Sequence, residues 1–134
     1  MRLAMIALAA LSLTACREES KADALAALPV GTEWQVREIA GQPVAAEVSV
    51  TLARSDESTI TGNSGCNRYN GRIETREGKL HISALAGTRM MCPPAQMEAE
   101  QAFHSTIGRV DQARLNGATL ELLTGETVVI RAEK

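Results

Sequence analysis

From residue 33 to residue 131 the chain is a succession of short segments in which apolar and polar residues alternate, each closed by a turn signal. That period of two limits the fold more than any other feature of the sequence. Residues 33–39, EWQVREI, put Trp34, Val36 and Ile39 on the buried side before a turn at Gly41-Gln42-Pro43. Residues 48–53 and 58–62 flank the polar run Arg54-Ser55-Asp56-Glu57, a hairpin connection. Residues 72–75 and 79–83 flank Arg76-Glu77-Gly78, and in the second of these Leu80 and Ile82 alternate with Lys79, His81 and Ser83, which turns His81 to solvent. Residues 114–115 and 118–123 surround Asn116-Gly117, a strong hairpin signal because both residues tolerate positive φ. Thr124-Gly125-Glu126 then turns the chain into 127–131, so the last three strands form a meander.

One segment departs from this pattern. After Pro93-Pro94, the apolar residues Ala99, Phe103, Ile107 and Val110 recur at helical spacing. Proline is tolerated in the first turn of a helix, Glu98 and Glu100 lie toward the positive end, and Gly108 is a stop signal. His104, beside Phe103, falls off the apolar stripe and reads as exposed. The expected architecture is α+β: a compact, curled, barrel-like antiparallel sheet of seven or eight strands, packed with one amphipathic helix near 94–108.

The N-terminus speaks to location. Arg2 precedes an apolar run over residues 3–13, eleven residues long and short of the roughly 20 that a spanning helix needs. A charged start, a short apolar core and small residues before a cut are the marks of a secretory signal. The segment ends Leu13-Thr14-Ala15-Cys16, which resembles the bacterial lipobox. That resemblance implies a signal peptide over 1–15, cleavage before Cys16, and diacylglyceryl and further acyl groups (palmitate among them) on that cysteine. Two or more acyl chains hold a protein stably to a bilayer. The absence of Asp after Cys16, where Arg17 stands, implies the outer membrane facing the periplasm under the sorting rules of enteric bacteria. Residues 16–28 read as the lipidated N-terminus and a charged, alanine-rich tether, with the domain over 29–134.

Composition narrows the function. Without Arg2, thirteen basic side chains face sixteen acidic ones, and only Trp34, Tyr69 and Phe103 are aromatic. Nucleic-acid domains carry clustered basic surface and single-strand grooves rely on aromatic platforms, so no nucleic-acid partner is expected. With Cys16 assigned to lipid, Cys66 and Cys92 remain, and an even pair in an exported domain reads as one disulfide. The competing reading is a metal site with His81 or His104, which no Cys-x-x-Cys or His-x-x-x-His spacing supports. No metal and no cofactor are expected.

The stretch SGCNRYNG at 64–71, then ALAGTRMMCP at 84–93, MEAEQAF at 97–103, and W-x-V-x-x-I-x-G from Trp34 to Gly41 together resemble the META/HslJ domain family. The four motifs stand in the family's order and span roughly 30–132. The resemblance implies a compact β-rich domain with a helix, in envelope or secreted bacterial proteins linked to heat-shock response, envelope stress and motility, without an established general enzymatic activity. It implies mainly structural roles for Trp34, Gly41, Gly65, Asn67, Arg68, Tyr69, Gly71, Thr88, Met90, Glu98 and Phe103. Some family structures resemble secretin-pilotin lipoproteins with an apolar cavity, which points to a lipid or amphipathic peptide. The thin aromatic content departs from an aromatic-lined pocket.

On the residues themselves, Gly65 permits close approach or positive φ, Gly71 after Asn70 suggests a tight turn, and Asn67 can bond its own neighbouring backbone. Tyr69 offers a ring to the core and a hydroxyl to a polar partner. Arg68 has three options: a carboxylate such as Glu98 or Glu100, the end of a loop, or an anionic ligand. Arg89 shares the ambiguity. No nucleophile motif surrounds His81 or His104, and Glu98 and Glu100, two apart on a helix, point different ways. The expectation is a non-catalytic, membrane-anchored envelope lipoprotein that binds a protein, peptide or lipid partner in envelope stress or maintenance. The alternatives are a pilotin-like chaperone or inhibitor with an apolar groove, and an envelope enzyme. An apolar patch flanked by Met90, Met91 and the helix would favour the groove.

Overall fold

A computed structural model describes residues 24–134. The expected signal peptide, the expected lipidation of Cys16 and the expected tether up to residue 23 lie outside the described residues. Ten strands form one sheet: β1 Glu33–Ile39, β2 Gln42–Pro43, β3 Thr51–Arg54, β4 Thr59–Asn63, β5 Arg68–Arg76, β6 Lys79–Ile82, β7 Ala86–Gly87, β8 Gln112–Asn116, β9 Thr119–Thr124 and β10 Thr127–Glu133. The helix α1, Pro94–Ile107, separates β7 from β8. The main path is β6-β5-β4-β3-β1-β10-β9-β8, eight antiparallel strands, with β2 added to β1 and β7 to β5. The α+β reading with its single helix therefore holds. The two extra strands are two-residue pairings, too short to show a period of two.

The sheet curls around its apolar face without closing. Its end strands approach where Leu80 N–H donates to Asp111 O at 2.8 Å, the residue just before β8. The core holds Trp34, Leu52, Ile60, Ile73, Leu120, Leu122 and Ile130, all but fully enclosed, with Phe103 and Ile107 supplied by α1. Trp34, Val36 and Ile39 cannot share one face of an unbroken strand, because 36 and 39 differ in parity. A bulge resolves this: the register with β10 shifts between Val36 and Glu38, and Arg37 is the extra residue.

Several local expectations need correction. Residues 24–28 were expected to end a tether, but Ala24–Ala27 forms a 3-10 turn, and Ala24, Ala27 and Leu28 are buried in the core. Arg54 Nη1 donates to Leu25 O and Leu28 O, which fixes the turn to the end of β3. The turn expected at Asn116-Gly117 sits one residue later: Asn116 pairs with Thr119, so the loop is Gly117-Ala118, with Gly117 at φ 62°. Glu98 and Glu100 lie beyond the helix's first turn, which has no acidic residue, and Gly108 ends the helix at φ −68° without a left-handed cap. Most consequentially, Arg68–Gly71 is not a turn. It is the start of β5, where Ile60 pairs with Gly71 and Gly62 with Tyr69.

Candidate functional site

The site begins with the buried side chain of Asn67, which stands just before β5 and reaches Thr88 and Met90 on one loop and Glu100 on α1. Its Oδ1 accepts from Met90 N–H at 2.6 Å and from Thr88 Oγ1 at 3.0 Å. Its Nδ2 donates to Met90 O at 3.2 Å and to Glu100 Oε2 at 2.8 Å. A primary amide presents the same donor and acceptor as a peptide group, so Asn67 pairs with Met90 as a neighbouring strand would. It thereby extends the β5–β7 ladder by one side chain. The local backbone bond expected of Asn67 belongs instead to Asn63, whose Oδ1 accepts from Gly65 N–H at 2.8 Å.

Glu100 anchors this arrangement to α1. Its Oε1 accepts from Asn67 N–H at 2.8 Å and from Ser64 Oγ at 2.5 Å. Burial is the largest single influence on this carboxyl and acts to raise its pKa. The donors on Ser64 and Asn67, with the His104 charge, together outweigh it and hold the group below its ordinary value. His104 Nε2 lies 3.2 Å from Ser64 Oγ, and since that hydroxyl gives its proton to Glu100, the ring is the donor. The sequence of contacts is ring, hydroxyl, carboxylate. A nucleophilic triad instead places the acid on the ring and the hydroxyl within reach of substrate. Here Ser64 is completely enclosed.

Gly65 fits this junction as no other residue can. Its φ is 122°, and a Cβ there would lie 2.8 Å from Gln96 O and 3.1 Å from Glu100 N, against the helix backbone. Cys66 and Cys92 are disulfide-bonded across the same junction, so neither sulfur is available as a thiolate. Tyr69 is buried, donates from its hydroxyl to Thr51 O at 2.8 Å, and lies 5.2 Å from Phe103 between ring centroids. Burial pushes its phenol well above the usual range, so it stays protonated.

Outside the clamp is a cleft of about 470 Å³. Arg68, Arg89, Met90, Met91, Met97 and His104 contribute to its walls. Met90 is 57% exposed and Met91 86%, two of only four large apolar side chains so exposed among the described residues. Arg68 and Arg89 are exposed, and among the described contacts neither guanidinium has a hydrogen-bond or ion-pair partner. The pairing of Arg68 with Glu98 or Glu100 does not occur among the described contacts: Glu100 is taken by Ser64 and Asn67, and Glu98, exposed on α1, makes no ion pair with Arg68.

The remaining expected residues are dispersed. Trp34 is in the core with Lys134 Nζ 5.3 Å from its ring, and Gly41, at φ 78°, turns β1 into β2. Gly71 lies in β5 beneath Leu85, and His81 is exposed on β6. Sequence reasoning passed over Ser64 and Glu100 as partners of Asn67. The spacing of Glu100 and His104, four apart and hence on one helix face, was the available signal.

The helix-bound Asn67 clamp, the disulfide and the curled sheet all fall within a match to the META domain model that covers residues 24–134. The chain belongs to the META domain family. The family match begins at Ala24, where the buried 3-10 turn begins, so the domain includes the segment that composition had assigned to a tether. Two solved structures share the fold. A protein from Burkholderia xenovorans solved by NMR is 23% identical, with a TM-score of 0.62 over 84% of this chain and 86% of that one. A second NMR structure is 24% identical, with a TM-score of 0.58 over 75% of this chain and 86% of that one. At this identity they speak for the META fold alone. No curated protein is similar enough to count as a relative.

Proposed function

We propose that this chain is a non-catalytic lipoprotein of the bacterial envelope, anchored through Cys16, whose META domain holds a partner in the Arg68–Arg89–Met90–Met91 cleft in envelope maintenance or stress. One observation carries the reading: two guanidinium groups without partners among the described residues and two exposed methionines converge on one cleft. The nearby carboxylate that could neutralise them is occupied elsewhere. Methionine surfaces adapt to varied apolar partners, and arginine is the residue that binding faces favour for carboxylate and phosphate. The enclosed Ser64, with Glu100 on its own hydroxyl, supports a clamp rather than a nucleophile.

The 3-10 turn and the cleft are well separated along the sheet. The 3-10 turn through which the chain enters packs near β6 and β8, and β6 pairs with Ile73–Arg76 of β5. The cleft is at Arg68, the opposite end of that strand, on the order of 20 Å away at about 3.3 Å per residue.

Two measurements test this. Cys16→Ser should move the protein from the membrane to the soluble fraction; unchanged fractionation removes the anchor from the account. A photoreactive residue at position 91 should give a discrete crosslink in the native envelope that is lost with Arg68→Glu/Arg89→Glu. An adduct that ignores the arginines, or none, argues against the cleft.

A further inference from the structure

The cleft is bordered by an open strand edge. β7 pairs with β5 through Tyr69–Gly87 and Asn70–Ala86, and Thr88 N–H donates to Arg68 O at 3.1 Å. An antiparallel ladder turns alternate residues toward its partner, so Ala86 and Thr88 face β5. Met90 continues the alternation, because both of its backbone groups are taken by the Asn67 amide. The residues between them, Gly87 and Arg89, therefore direct their N–H and C=O to the other side. No described strand runs along that side, and residues 86–91 are exposed throughout.

Other edges of the sheet are protected. β2 carries Pro43, which has no N–H to offer. The end strands β6 and β8 converge at the Leu80–Asp111 bond, with the 3-10 turn packed against both. Among the described strands, β7 alone combines free backbone groups with adjacent arginines and exposed methionines.

We infer that this edge takes up an extended acidic–apolar segment of a partner protein by strand addition. This rests on the cleft being the partner site and adds what occupies it. The backbone of the segment pairs with Gly87 and Arg89, its carboxylates meet the Arg68 and Arg89 guanidinium groups, and its apolar side chains lie on Met90 and Met91. Main-chain bonds supply the affinity in this mode and side-chain pockets the specificity. A bilayer offers no repeating N–H and C=O in register with the edge. A second copy of this chain is disfavoured, because edge-to-edge pairing would set its own Arg89 close to Arg89, and opposed like charges destabilise a strand pair.

The test uses the full chain, isotopically labelled, and a short acetylated peptide alternating glutamate with isoleucine. Binding should shift and protect the amides of Gly87 and Arg89, and Arg68→Glu/Arg89→Glu should weaken it by about tenfold or more. Two analogues N-methylated on opposite alternate residues leave the protein untouched. One should lose at least about tenfold in affinity and the other should keep it, because only one set of amides faces the edge. If both bind like the parent peptide, strand addition is wrong while the cleft remains a peptide site. If only vesicles of anionic phospholipid perturb Met91, the occupant is wrong and the partner reading turns to lipid. Protection of Gly87 and Arg89 that rises with protein concentration alone would assign the edge to a second copy and overturn the proposal.

Discussion

Asn67 satisfies four groups at once, so its removal should cost more than a typical polar substitution. Asn67→Ala strands Met90 N–H, Met90 O and one oxygen of Glu100. At about 1 kcal/mol per net hydrogen bond, a loss of roughly 2–3 kcal/mol is expected in urea unfolding; a loss within about 0.5 kcal/mol would mean that water replaces the amide. Gly65→Ala meets both a left-handed φ and the helix backbone, and should destabilise by about 2 kcal/mol or more. Glu100 carries a pH signature. Its folded pKa lies below the ordinary carboxyl value of 4.5. Its contribution is therefore complete above that value and is lost as pH falls through the folded one. Glu100→Gln should flatten the stability-against-pH curve over this acid window. A wild-type slope retained in the variant would place the titration elsewhere. The positive φ at Gly65 was legible in SGCNRYNG; the clamp was not, because its partners, Met90 and Glu100, are supplied by long-range packing.

At the scale of elements, legibility followed periodicity. β1 up to its bulge and the β5–β6 hairpin alternate plainly, the β8–β10 meander is marked by its turns, and α1 has its stripe, so these were open to reading. The start of β5 was not: three polar residues and a glycine at Arg68–Gly71 resemble a turn, and they are held as a strand by β4 on one side and β7 on the other. The buried turn at Ala24–Ala27 was concealed for a related reason, since alanine-rich sequence carries little hydrophobic contrast. The β1–β2 hairpin holds a correctable flaw. Its two loop residues, Ala40 at φ 50° and Gly41 at φ 78°, form a type I′ turn, which asks an alanine to be left-handed. Ala40→Gly should raise stability by about 0.5–1 kcal/mol after the entropic cost of glycine in the unfolded chain. No change in the unfolding midpoint would show that neighbouring contacts already offset the strain.

The whole molecule is a curled sheet and a helix joined at one corner by the disulfide, Gly65 and the Asn67–Glu100 clamp. The bond between Cys66 and Cys92 is 26 residues apart in sequence and, in the chain-entropy model, contributes roughly 3.5 kcal/mol. Cys66→Ser/Cys92→Ser should lower stability by about that much, and a smaller loss would mean that the clamp alone holds the corner. That corner fixes residues 86–91 as a rigid border to the cleft, with Thr88 and Met90 bound inward and Gly87 and Arg89 open. Amide hydrogen exchange of the native protein, followed residue by residue by NMR, tests this most directly. The account predicts slow exchange at Thr88 and Met90 and fast exchange at Gly87 and Arg89. Equally fast exchange at all four would contradict it, since the border would then be an ordinary mobile loop with no strand edge to offer.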